Sequence, residues 1–333
     1  MGIIMKSCDK LMCSNILEHI TYNDMTLFDG ISNNLRFFEY ANQKIYFPDG
    51  RGYIDFTELL RKMEISYEFL NVKQLSGETD IRDVLVLLPK ELLDSIDIMK
   101  PKATGIYIVY SAFAVKKITK DSITLGISDY KFKYEKTLRL SQLEKLVELP
   151  SKPLSYVVKI IKIDKSKKLD RKLQLKSLKR NLIDFSIDRT EENEGTICIK
   201  GAQFYDEMSE VLKGFSLDKI KKESKIKFFI FAGALNAGGE AFYRYDFLQS
   251  LLSKGIEGKR REIDYAIDRL NAAIKMWYEL ARKLRFVQKS EDTKIDEIFM
   301  VNLLDEIKKS ELEAINILLQ NYEILEEILC CGK

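Results

Sequence analysis

Two rhythms of apolar residues run along the chain. Up to about residue 163 the apolar positions come mostly in short runs divided by turn residues. Ala41 to Phe47 predicts a strand, closed by the turn Pro48-Asp49-Gly50. Phe56, Leu59, Leu60 and Met63 recur at three to four positions and predict a helix. Val84-Leu85-Val86-Leu87-Leu88 is continuous enough for a buried strand. Ile106 to Val115 and Ile123 to Ile127, separated by Lys116 to Asp121, predict a hairpin or short meander. Tyr156 to Ile163, alternating around Lys159 and Lys162, predicts one more strand. A short helix is expected to start near Cys13, with Ser14 and Asn15 in its first turn and Ile16, Leu17 and Ile20 facing inward.

Beyond residue 200 the period changes to that of helices. Ile263, Ala266, Ile267, Leu270, Ala273, Ile274, Trp277, Leu280, Ala281 and Leu284 form one apolar stripe, with Trp277 near its centre and expected to be buried. Ile295 to Leu329 reads as one long helix or two short ones. Ala234 to Glu240 reads as a glycine-bearing turn before a helix from about Phe242 to Leu252. The expectation is α+β: a mixed first half over 1–163 and an all-α bundle over 200–333. Between them, Lys165 to Arg180 holds eight basic residues and one acidic, and the sign reverses from Asp184 to Glu194. This charge pattern makes 164–199 the linker candidate, although Leu169, Leu173, Leu175 and Leu178 allow part of it to be helical.

Composition narrows the classes. With 54 Lys+Arg against 51 Asp+Glu, the 333-residue chain gives no global signal for nucleic acid or a membrane surface. No run approaches the ~18 apolar residues of a membrane span, and Met1 to Cys8 lacks the apolar core of a signal peptide. Five Cys, at 8, 13, 198, 330 and 331, have no framework or Cys-x-x-Cys spacing, so a cytoplasmic protein with free thiols is expected, without metal or other cofactor. No Walker lysine motif, Gly-x-Gly-x-x-Gly loop or His-Glu-x-x-His is present.

Cys13 is the residue with most chemical promise. At a helix start, peptide dipoles and unpaired N–H groups lower a thiol pKa and favour the nucleophilic thiolate. The plainer reading is a small buried apolar side chain. His19, the single His, lies six residues on, which on one helix turns it to another face about 9 Å further along the axis. It is expected as a surface or capping histidine. Arg244, after Gly238-Gly239, is placed to take a carboxylate or phosphate of a substrate bidentately, or else to make an intramolecular salt bridge.

Five segments, in order, carry a family resemblance. They are Cys13-Ser14-Asn15-Ile16-Leu17 with Thr26 to Tyr40; Ile106 to Phe113 with Ile123 to Asp129; Gly238 to Leu248; Ala272 to Ala281; and Ile307 to Ala314 with Glu311 and Glu313. Together they resemble the butirosin-biosynthesis BtrH-like family. The resemblance implies a papain-like α/β domain followed by a helical domain. It also implies an acyl- or aminoacyltransferase of natural-product biosynthesis, in which a cysteine takes an acyl group from a carrier-protein thioester and passes it to an amine. On that footing Cys13 is the nucleophile and Asp129 the residual triad acid, the alternatives for Asp129 being a polar anchor or a strand-end turn residue. Tyr107 and Tyr110, which could contribute a hydroxyl, and Arg244 are the substrate-binding candidates. The partners are an acyl carrier protein and a small-molecule amine acceptor.

The chain departs from the family where the chemistry is. The position of the triad His falls on Gly105 or Ile106, Met12 stands where a His usually precedes the cysteine, and the glycines after Phe28 have become Asp29, Ser32, Asn33 and Asn34. The alternative is therefore a catalytically degenerate member acting as a binding or scaffold subunit. A homodimer through the helical half is also expected. Lys259, Arg260, Arg261, Arg269, Arg282, Lys283 and Arg285 oppose the acidic stretch Asp296 to Glu327, either within one bundle or across a two-fold axis.

Overall fold

The structure is a computed structural model. It describes residues 7–40, 43–51, 56–78, 80–88, 93, 111–128, 133–147, 158–193, 196–215, 228, 231–232, 234–235, 240–289 and 296–331. In chain order the elements are α1 (Cys8–Ser14), α2 (Tyr22–Asp29), β1 (Asn34–Tyr40), β2 (Gln43–Pro48), α3 (Phe56–Lys62), β3 (Tyr67–Phe69), α4 (Val72–Ser76), β4 (Val84–Leu88), β5 (Ser111–Ile118), β6 (Ser122–Ser128) and β7 (Lys133–Arg139). Then follow α5 (Leu140–Val147), β8 (Lys159–Ile163), α6 (Arg171–Ser186), β9 (Arg189–Asn193), β10 (Thr196–Lys200), α7 (Gln203–Gly214), α8 (Glu240–Leu252), α9 (Arg261–Lys289), α10 (Glu297–Gln320) and α11 (Tyr322–Cys331). The fold is mixed α+β with two antiparallel sheets and a helical C-terminal part.

The chain forms two compact units, one of residues 1–25 and 55–170, the other of 26–54 and 171–333. The division is discontinuous, so the segment 26–54 groups with the helical part.

In the first unit a six-stranded sheet runs in the order β3-β8-β4-β5-β6-β7. β4 is the unbroken Val84–Leu88 run, buried at every position and paired on both sides, to β8 and β5. That is why it shows no alternation. The β5–β6 hairpin turns later than the lysine pair suggests: β5 continues through Lys116-Lys117-Ile118, and the Thr119 N–H to Ser122 carbonyl bond of 2.8 Å closes the turn. A register shift between Val115 and Lys117 lets a bulge absorb Lys116, and Lys117 pairs with Thr124 in the continuing strand. Helix α1 packs on β5 and β4.

The second unit holds the sheet β2-β1-β10-β9 and the helices α6 to α11. All ten stripe residues of α9, Trp277 among them, are buried as the period predicts. The terminal stretch is two helices, broken at Asn321, whose side-chain amide donates to the Ile317 carbonyl at 2.9 Å. One pair of the opposite charges of α9 and α10 meets within the chain: Arg269 Nε lies 2.8 Å from Glu313 Oε2, and the Tyr265 hydroxyl donates to Glu313 at 2.9 Å.

The segment 164–199, read from its charge as a linker, contains the 16-residue helix α6 and both strands β9 and β10. Leu175, Leu178, Leu182 and Phe185 are buried along one side of α6, while Lys172, Lys176, Lys179 and Arg180 occupy the exposed side. Four apolar residues at helical spacing are enough to bury one face, while the basic residues on the other need only solvent. Among the described residues, no helix is long and apolar enough to cross a membrane.

Candidate functional site

Cys13 comes first because the expected chemistry rests on it. Helix α1 begins at Cys8, not near Cys13, with Ser7 preceding it and Asp9 in its first turn. The Ile16 and Leu17 N–H groups both return to the Cys13 carbonyl, at 2.9 and 3.0 Å, and end the helix there. Cys13 thus lies in the last turn, where the dipole opposes a thiolate instead of favouring it. Its side chain is wholly buried. Burial, and then the charge of Asp9, push the thiol far above its ordinary range. The expectation of an activated helix-start cysteine is corrected on both counts, position and environment.

The chain's single imidazole does not rescue it. His19 lies past the end of α1, pairs its backbone with Lys168 in an isolated bridge, and sets Nε2 3.9 Å from Glu18 at the surface. Tyr107, Tyr110 and Asp129, together with Gly105, Ile106, Gly238 and Gly239, lie outside the described residues.

A different constellation is fully built in the second unit, around Arg244. The residue stands one turn into α8, with no exposure. A guanidinium has five N–H donors and no acceptor. Here they meet five acceptors. Nε donates to Glu311 Oε1 at 2.6 Å and Nη2 to Glu311 Oε2 at 3.2 Å, a side-on fork. Nη1 donates to Glu240 and, at 3.3 Å, to the Ser32 carbonyl, while Nη2 also reaches Asn33 Oδ1. The cation also lies over two rings, with its carbon 5.4 Å from the Trp277 centroid and 5.8 Å from that of Phe185.

Glu311, from α10, is as fully used as Arg244. Beyond the two guanidinium bonds it accepts from Trp277 Nε1 at 2.9 Å and from the Tyr205 hydroxyl. Four donors fill the roughly four lone-pair sites of a carboxylate. Burial first, and then the Glu311 charge, raise the Tyr205 pKa well above the usual range, so Tyr205 stays a donor. Asn33 Nδ2 extends the network to the Phe185 carbonyl at 3.5 Å. Among the described residues, Glu240 Oε1 is the one atom of this cluster left without a hydrogen-bond partner.

The loop that delivers Ser32 and Asn33 is pinned from α6. Asn181 Nδ2 donates to the carbonyls of Phe28 and Asp29, both at 2.9 Å, and Ser177 donates to Phe28 at 2.9 Å. Gly50, in the turn after β2, closes the other side. A Cβ there would stand 2.9 Å from Glu240 Oε2 and 3.0 Å from Arg244 Nη1, so any other residue would have to displace side chains that the cluster holds in place. Beside it, buried Asp49 lies 3.1 Å from Arg36 Nη2 and 2.8 Å from Arg51 Nη2. Burial alone would raise the Asp49 pKa; the charges of Arg36 and Arg51 and the Arg51 hydrogen bonds override it and hold it at about 2.

Arg244 therefore does not present a fork to a substrate. It makes the intramolecular salt bridge, because every donor is taken by the fold. The quoted segments containing Asn33, Arg244, Trp277 and Glu311 do converge, but on a saturated joint. Tyr205 was missed, its sequence neighbourhood carrying no signal. Glu240 and Arg244, four apart, carried the ordinary mark of a helical ion pair. The sequence matches no family model, and no curated protein matches it.

Proposed function

We propose that this chain is a non-catalytic binding subunit of a biosynthetic assembly, a degenerate BtrH-like protein with a papain-like first unit whose nucleophile position is retired. The packing of α1 on β5 and β4, and the β5–β6 hairpin that precedes Asp129 in sequence, support the papain-like reading. The observation that carries the functional one is the state of Cys13. The thiol is buried, at the wrong end of its helix, and pushed upward by burial and by Asp9. Thiolate is the form that attacks a thioester, and this environment suppresses it. Without a histidine to take the proton, amide formation would also lose the ~10²–10⁴-fold that a general base supplies.

The test is acyl loading. Incubation with an acylated carrier protein, followed by peptide mass spectrometry, is expected to give no adduct on Cys13. Iodoacetamide is expected to modify exposed Cys330 long before Cys13 in the native protein. Carrier association measured by titration calorimetry should be the same in wild type and Cys13→Ala. An acyl adduct on Cys13 overturns the proposal and restores the acyltransferase reading, with transfer to an amine; so does carrier binding lost in Cys13→Ala. Absence of carrier binding to the wild type removes the subunit role itself.

A further inference from the structure

We infer that α6 and α11 together form a self-complementary surface that pairs with a second copy of this chain across a two-fold axis. The inference goes beyond the binding-subunit reading and does not depend on it.

The exposed residues of α6 are Lys172, Lys176, Lys179, Arg180 and Ile183. At 100° per residue these five fall within about 100° of the helix circumference, so they make a single strip. Among the described residues Lys172 and Lys176 have no ion-pair partner. Lys179 Nζ rests 5.0 Å over the Tyr322 ring, and the largely exposed Arg180 reaches Asp184 only at 3.7 Å. Ile183 is 39% exposed within the strip, and Ile187, 48% exposed, continues it just past the helix end. The strip thus joins two exposed isoleucines to cations of which, among the described residues, only Arg180 has a carboxylate nearby.

Helix α11 carries the complement. Glu323, Glu326 and Glu327 are exposed on one side of it, and none has an ion-pair partner among the described residues. The two helices are neighbours in the same unit: the Tyr322 hydroxyl donates to the Leu175 carbonyl, and its ring lies under Lys179. A basic strip alone suits any acidic surface, and an acidic strip alone suits any basic one. The two side by side suit a rotated copy, which sets α6 of one protomer against α11 of its partner and repeats the contact at the other end. Where α9 and α10 share the pair Arg269–Glu313, no such ion pair joins α6 and α11 among the described residues.

The test is a charge exchange on the full chain. At low salt and high micromolar concentration, light scattering should report twice the 38.7 kDa of one chain. The dimer should weaken at least about tenfold at 1 M salt, where the Debye length falls to ~3 Å. Variant one, Lys172→Glu/Lys176→Glu/Lys179→Glu, makes both strips acidic; variant two, Glu323→Lys/Glu326→Lys/Glu327→Lys, makes both basic. Each should be monomeric alone, and an equimolar mixture should regain the dimer, because the heterodimer restores both pairings. Circular dichroism melts establish that each variant folds; if one does not, the salt dependence of the wild-type mass decides. A wild type that stays at 38.7 kDa under these conditions overturns the inference. So does a dimer that persists in each variant alone, or a monomer that binds duplex DNA or phosphatidylserine vesicles through the α6 lysines.

Discussion

Cys13 and Arg244 are both wholly buried and both belong to segments that suggested chemistry, yet their surroundings have opposite logic. A thiol can be left among apolar neighbours because burial simply keeps it protonated. A guanidinium cannot shed its charge, so a fold that buries one must supply acceptors for all of it. The second unit does so from two helices and a loop: Glu240 on α8, Glu311 on α10, and Ser32 and Asn33 between α2 and β1, while Trp277 on α9 and Tyr205 on α7 donate in turn to Glu311. The first unit gives Cys13 Asp9 as the charge that acts on it, which pushes the thiol further from reactivity. Burial by itself does not distinguish a working residue from a structural one. The inventory of partners does.

The contrast breaks most sharply at Arg244. Arg244→Ala leaves Glu240 and Glu311 buried without their counter-ion, and about 3–5 kcal/mol of stability should be lost in urea unfolding. Replacing Glu240, Arg244 and Glu311 together by Leu, Met and Leu should recover part of that loss, because apolar side chains of similar volume often substitute for a buried ionic group without cost, while the Trp277 and Tyr205 donors left without Glu311 keep the recovery incomplete. A single Arg244→Ala variant within about 0.5 kcal/mol of wild type would mean that solvent reaches the cluster, and would return Arg244 to the list of ligand-binding residues.

Asp49 sharpens the comparison through pH. Its carboxyl is held at about 2 against an ordinary 3.8. A depressed pKa contributes stability that is present above the unfolded value and is lost as pH falls through the folded one. The difference amounts to about 2.5 kcal/mol, lost progressively between roughly pH 5 and pH 1. Cys13 has the opposite sign. Its raised pKa favours the native state below the unfolded thiol value, and stability falls as pH climbs past about 8.5. Urea melts across both ranges should show Asp49→Asn flattening the acid limb only, and Cys13→Ala flattening the alkaline limb only.

Much of this architecture was legible from apolar spacing. The α9 stripe, the β4 run and the helix α3 follow directly from periods that burial imposes. The position of Cys13 was not, because Ile16, Leu17 and Ile20 extend an apolar pattern beyond the point where backbone bonds to the Cys13 carbonyl stop the helix. Helix α6 was half-legible: its four buried apolar residues have a clear period, but the basic run from Lys165 to Arg180 that enters it reads as a solvated linker. The Arg244 cluster needs residues 33, 205, 240, 277 and 311 together. Nothing local in a sequence states which acidic residue far along the chain meets which arginine. The strand β1 escaped as well, since Arg36 within it looks solvated until Asp49 is seen 3.1 Å away.

The smallest expected effect lies at Cys13 itself, and its sign carries the most information. If the thiol serves only as packing, Cys13→Ala removes one buried heavy atom about the size of a methyl group, and stability should fall by roughly 1 kcal/mol. Cys13→Ser should cost somewhat more, since a hydroxyl in this position must find an acceptor; the carbonyl of Asp9, one turn back, is the nearest by helix geometry. A nucleophile maintained for catalysis behaves differently, because working sites are commonly held against the interests of the fold, and removing their reactive group stabilises the protein. A gain in stability for Cys13→Ala in the same urea titrations would therefore count against a retired cysteine, even before any acyl adduct is sought. A loss of roughly the methyl-group size places Cys13 with Met12 and Leu17 as part of the buried core around α1.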